Sequence, residues 1–247
     1  MDSVKMALRV FEAVAEKGEA GLGELVHAIG APKSTVQRGL TTLHEAGWLS
    51  PIDSGSRRRW TPSLRLATIA RGGDALTALR QAAIPILREL RDTTRETIHL
   101  TARDGDRVVL VERCDSPQVL RTGWPLGSSS PLHVGANGKA VLAASGEREL
   151  ARYLGRELEA WTEHTIVDPD QLRTELSRIR DRGYAVSDRE LDSGVRAVAA
   201  PIFGPDGDAI AALSISCPAT RLPDDLIGKY GASVVAAAAA ISKDRKG

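Results

Sequence analysis

Between Pro32 and Gly47 the chain sets Val36, Leu40 and Leu43 at i, i+4 and i+7, which makes one side of a predicted helix apolar. The other side carries Ser34, Gln37, Arg38 and Thr41, with Lys33, Ser34 and Thr35 in the first turn. Those groups suit a polyanion with readable edges. A helix amino end offers unpaired amides and positive potential to a phosphate. Gln matches adenine edges, and Arg matches guanine or grips phosphate. Three further arginines, Arg57, Arg58 and Arg59, follow on a short segment. Taken alone, three such arginines are more often just a solvated surface. Behind a helix-turn-helix they fit a wing laid on the DNA backbone or minor groove.

A second polar group lies far downstream. Ser214 and Ser216 are two apart in an apolar strand-like run, so they share one face. Hydroxyls on an inner sheet face need partners, which either a filled core or a ligand carboxylate or carbonyl supplies. The run Gly135-Ala136-Asn137-Gly138-Lys139 precedes a predicted helix, where backbone amides suit an anion. Lys139 itself is read as support for the helix start or a subunit contact.

The elements that must position these groups are legible from period and punctuation. Helices are predicted over 3–17, 22–29 and from Pro32 to Gly47. DSGS, at Asp53–Ser56, marks a hairpin between WLSPI and RRRWTP. A linker helix is expected over 63–80, with Gly72-Gly73 as a possible break and Pro85 opening a separate helix to Thr94. Strands are expected over 97–103, 107–114, 184–187, 195–202 and 209–217, and helices over 138–145, 148–154, 169–182 and 223–243. Asp168, Pro169 and Gly183 punctuate the helix over 169–182 as N-cap, first turn and stop. The fold class is α+β: an N-terminal winged helix-turn-helix (1–62), a linker helix (63–80) and a C-terminal α/β sandwich with a central antiparallel sheet (81–247).

Bulk properties narrow the function. The 247 residues carry a net charge of +1, so only local charge favours DNA. No run approaches the ~20 apolar residues of a membrane span, and the first residues do not form a secretory signal; a cytoplasmic protein without membrane partners is expected. Cys114 and Cys217 are far apart and are read as buried, reduced thiols. His99 and His133 lack a second His or Cys at ligand spacing, so no metal and no cofactor are expected. No GxSxG elbow, P-loop or dinucleotide fingerprint occurs. A regulator is favoured over the alternative, a small-molecule enzyme fused to a DNA-binding head.

MALRVFEAVAEKG…LGELVHAIGAPKSTVQRGLTTLHEAGWL resembles the winged helix of the IclR family of bacterial transcription regulators. SPLHVGANGKAVLA and GYAVSDRELDSGVRAVAAPIFGPDGDAIAALSISCPATRL resemble that family's C-terminal signature. The resemblance implies a GAF-like effector domain, a small organic effector, and homodimers, in some members dimers of dimers, on palindromic operators. Repression of a nearby catabolic operon is implied, with activation as the alternative. Carried onto matching positions, it assigns Ala136, Asn137, Ser187, Asp188, Ala197, Ser214 and Ser216 to the effector site, with Ser130 and Leu120–Leu126, including Trp124, as a lid. Asp188 and Arg196 are equally read as an ion pair holding their loop. Members often have Cys where Ala197 stands, and some that bind α-keto acids have Asp where Ser187 stands. Both departures point to a bulkier or less charged effector, such as an aromatic acid or amide.

Overall fold

Helical spacing of buried Val10, Val14, Leu25, Val36, Leu40 and Leu43 folds the first part of the chain into α1 (Asp2–Lys17), α2 (Leu22–Ile29) and α3 (Lys33–Glu45). The computed structural model describes residues 2–54, 57–69 and 74–244, and the chain divides into two units, Met1–Asp74 and Ala75–Gly247. Gly30, left-handed at φ 67°, ends α2 as the sequence predicts. Pro32 stands just outside α3 as its cap, and its carbonyl accepts from Thr35 and Val36.

A three-stranded sheet completes this unit in the order β1 (Ala20–Gly21), β3 (Arg57–Pro62), β2 (Leu49–Ser54). The hairpin is where the sequence places it; its tip, residues 55–56, and the Arg57 side chain lie outside the described residues. β1 was not expected, because two residues show no period. A short α4 (Arg65–Ile69) follows, and the expected break at Gly72-Gly73 lies outside the described residues.

Pro85 does not open a helix. It sits inside one helix, α5 (Asp74–Thr94), so the expected division at residue 81 falls mid-helix. The proline forgoes one backbone bond, yet burial of Leu79, Ala83, Leu87 and Leu90 carries the helix through.

The second unit is built on a six-stranded antiparallel sheet. Its strands are β4 (Thr97–Asp104), β5 (Arg107–Cys114), β6 (Ser129–Pro131), β7 (Ala185–Asp188), β8 (Val195–Phe203) and β9 (Ala209–Pro218). Their spatial order is β6-β5-β4-β9-β8-β7. Alternation assigns the faces. Ile98, Leu100, Val198, Ala200, Leu213 and Ile215 pack with α5 and the C-terminal α9 (Asp224–Asp244). Ala185, Ala199 and Ala212 pack on the opposite face with α6 (Gly135–Ala143), α7 (Glu147–Leu154) and α8 (Pro169–Arg182). α8 has its predicted punctuation: Asp168 accepts from the Gln171 amide at 2.8 Å, and Gly183 closes the helix at φ 82°.

α6 begins three residues before its expected start at Gly138, and it presses on the chain just ahead of it. A Cβ on Gly138 would lie 2.6 Å from the Leu132 carbonyl oxygen and 2.9 Å from two more backbone atoms. Backbone cannot swing aside as a side-chain tip can. Gly138→Ala is therefore expected to cost about 1–3 kcal/mol through overpacking, read as a lower midpoint in a urea melt; an unchanged midpoint would show that α6 has room to move.

Candidate nucleic-acid interface and ligand cavity

On α3, Val36, Gly39, Leu40 and Leu43 are buried, while Lys33, Ser34, Gln37, Arg38 and Thr41 are exposed and Thr35 is half-buried. Every residue predicted for the polar side except Thr35 thus faces solvent fully. Thr35 and the exposed Arg38 also border a groove against α1, beside Ala7 and Leu8.

Arg58 and Arg59 do not act together. Strand alternation sends neighbours to opposite faces. Arg58 is exposed, its guanidinium 5.9 Å from the Trp60 ring centre. Arg59 is committed elsewhere: its Nε donates to Glu19 at 3.1 Å and its Nη1 to Glu24 at 2.8 Å. That bond to Arg59 holds the Glu24 carboxyl below its usual range. Arg59 therefore clasps β3 to the first turn of α2 and is not a spare cation for phosphate.

In the second unit a cavity of about 190 Å³ opens on the sheet face that carries α6. An apolar cavity of ~150 Å³ holds benzene, so this one suits a single ring with substituents. The register explains its floor. Ser216 pairs with Thr97 on one side and Ala197 on the other, and Ala197 pairs with Ser187. One step along, Ser214 lies between His99 and Ala199. Gly135, Ala136 and Asn137 form the wall at the start of α6, and Ser130, Trp124 and Trp161 complete the enclosure.

Of the residues assigned by resemblance, Trp124, Ser130, Ala136, Asn137, Ser187, Ala197, Ser214 and Ser216 meet in this cavity. Asp188 does not. It follows Ser187 on β7 and so points the other way, exposed and paired with Arg189 and Arg196 at 3.3 Å each. The ion-pair reading of Asp188 and Arg196 is the one the geometry supports.

Several lining residues escaped the sequence reading: His99, Trp161, Leu191 and Asp192, whereas Thr122 falls within the expected lid Leu120–Leu126. His99 left a usable trace, since Thr97, His99 and Thr101 are polar at every second position of β4. Trp161 and Leu191 lie in loops, where no period reveals a direction. The lid residue Trp124 is fastened through its carbonyl, which accepts from Arg113 at 2.6 Å.

Two buried groups hold the cavity's frame. The Lys139 ammonium donates to the Val186 carbonyl at 2.7 Å and pairs with Glu190, joining α6 to the loop after β7. His133 is structural: its Nε2 faces the Glu159 carbonyl at 3.0 Å, which can only accept, so Nδ1 receives the Tyr153 hydroxyl at 2.9 Å. Among the described residues no three His, Cys, Asp or Glu side chains gather as a metal site. Cys217 is buried and its thiol is pushed up to about 12 by burial; Cys114 is half-buried and raised for the same reason. No helix among the described residues is long and apolar enough to cross a membrane.

Residues 3–52 match the IclR helix-turn-helix domain, and residues 75–243 match the bacterial transcriptional regulator IclR C-terminal domain. The chain belongs to the IclR family. It is 32% identical to the transcriptional repressor IclR of Escherichia coli strain K12, over 96% of this chain and 88% of that one. It is 35% identical to the HTH-type transcriptional regulator KdgR of the same organism, over 98% and 92%. The crystal structure of the Thermotoga maritima IclR superposes with a TM-score of 0.78 at 28% identity, covering 100% of both chains. This IclR-family chain is a DNA-binding transcriptional regulator, and its fold class is the mixed one that its sequence indicates.

Burial of the His99 ring lowers its pKa from 6.5 to about 4, with Arg113 adding to the effect. The unfolded chain therefore binds a proton that the folded chain refuses between those values. Stability from this residue is complete above about pH 6.5 and lost as pH falls toward 4, by about 3 kcal/mol in all. Urea melts at neutral pH and near pH 4.5 check this: His99→Leu is expected to lose less stability than the wild type over that interval. Parallel losses would contradict it.

Proposed function

We propose that the first unit reads an operator through α3 and that the second unit sets operator occupancy by holding a small organic effector in the 190 Å³ cavity. The observation that carries this reading is the division of α3, with an apolar side sunk in its own domain and Lys33, Ser34, Gln37, Arg38 and Thr41 left outside it. Thr35 assists at the helix start. Gln37 and Arg38 read base edges, and Arg58 supplies a wing contact to phosphate. Arg59 positions that wing. The name of the Escherichia coli repressor relative supports repression as the sign of control. A homodimer, or a dimer of dimers, presenting two α3 helices to successive major grooves accounts for a palindromic operator, with half-sites ~34 Å apart.

The effector reading rests on the cavity's chemistry. Trp124 and Trp161 supply ring-sized apolar walls, and the amides that open α6 stand with Ser130, Ser187, Ser214 and Ser216 as polar contacts. No Lys or Arg lines it among the described residues, and its ring-sized apolar walls favour an aromatic acid or amide over a small keto acid.

Operator binding by fluorescence anisotropy tests the DNA half, using the DNA upstream of the chain's own gene. Arg38→Ala is expected to weaken specific binding by about 1–3 kcal/mol. Arg58→Ala is expected to reduce the slope of log K against log salt by about one for each phosphate it no longer neutralises. Arg59→Ala should instead lower the melting temperature. A salt slope that answers to Arg59 and ignores Arg58 would overturn the division of roles on the wing.

A further inference from the structure

Two polar atoms in the cavity are buried without a hydrogen-bond partner among the described residues: His99 Nε2 and Asn137 Oδ1. They flank one serine. Asn137 Nδ2 donates to Ser214 Oγ at 3.0 Å, and His99 is the cross-strand neighbour of Ser214. His99 is only 4% exposed, and its ring stands edge-on to Trp124 with centroids 6.4 Å apart. Orphaned groups of this kind are costly to bury, so a protein retains them where a partner arrives later.

The chemistry of the two atoms specifies that partner. Asn137 Oδ1 can only accept, so the ligand must bring a donor there. A carboxylate, a ketone or an ether has none. His99 Nε2 on an uncharged ring donates or accepts according to its tautomer. A hydroxyl group satisfies both atoms, because its one proton goes to Asn137 Oδ1 and its oxygen accepts from a neutral His99 ring protonated at Nε2. Resting on the reading of this cavity as the effector site, we propose that the effector is a ring acid bearing a hydroxyl, and that His99 and Asn137 select it by that hydroxyl. The carboxylate then lies away from this pair, toward the amides that open α6.

Calorimetric titration of the full chain with benzoate, 3-hydroxybenzoate and 4-hydroxybenzoate tests the proposal without any mutation. At least one hydroxylated acid is expected to bind about 10- to 100-fold more tightly than benzoate. In His99→Leu, and separately in Asn137→Ala, that ratio is expected to collapse to within about threefold, with a cooperative thermal melt verifying that each variant is folded. Equal affinities in the wild type would mean that water satisfies the two atoms, and would overturn the inference while leaving the cavity as the effector site. A preference that survives in both folded variants would overturn it equally. Failure of all three acids to bind the wild type would overturn the ring-acid reading of the cavity and this inference together.

Discussion

Glu190 carries a carboxylate into the interior of the second unit, and Lys139 meets it there. Both side chains are almost wholly buried. Burial pushes the Glu190 carboxyl up, and the attraction of Lys139 is the main force opposing it. Breaking such a pair by removing one member typically costs about 3–5 kcal/mol, because a charge is stranded. Here the pair spans the two parts that enclose the cavity. Lys139 sits in α6, whose first turn is one wall, and Glu190 sits in the loop that brings Leu191 and Asp192 over the site. Thr162 and Thr165 add to the clamp, donating to the Arg189 carbonyl at 2.7 Å and the Glu190 carbonyl at 2.8 Å respectively and so placing the segment that holds Trp161. This buried junction fastens the wall to the loop, beside the packing of Gly135 against Leu191.

Around that anchor, the two backbone periods divide the work. In the first unit the 3.6-residue turn of α3 buries one side and frees the other. In the second, the two-residue pleat gives Ile98, Leu213 and Ile215 to the core, and His99, Ser214 and Ser216 to the cavity. The two sites share this logic, although the cavity wall also needs Gly135 in a left-handed conformation at φ 77°. Each is the polar side of an element whose apolar side is held down by packing. A ligand in the cavity can alter operator occupancy only through a difference in its affinity for two arrangements of the chain, so tight binding alone is not enough.

Much of this could be read from the sequence, for reasons that differ by element. The sides of α3 and the pairing of Ser214 with Ser216 follow from period alone. The ends of α8 follow from Asp168, Pro169 and Gly183, each of which does one local job. Where the reading failed, the deciding force was not local. Pro85 suggested a helix start, yet burial of Leu79 through Leu90 against the sheet runs the helix past it. Arg59 resembled its neighbours in type, but its role is set by Glu19 and Glu24, 40 and 35 residues away. Asp188 was one residue out of phase with the cavity, which a strict count from Ser187 would have caught. Trp161 is brought in by a loop, and loops have no period to count.

The most direct measurement is the affinity of the intact chain for its own upstream DNA, with and without a ligand that raises its melting temperature by filling the cavity. Coupling between the two sites is expected to change the operator Kd by about 5- to 150-fold, and Ser214→Ala should remove that change while operator binding without ligand persists. An operator Kd unmoved by a ligand that saturates the cavity, or no affinity for that DNA at any salt concentration, would contradict the link between the polar side of α3 and the polar side of the sheet.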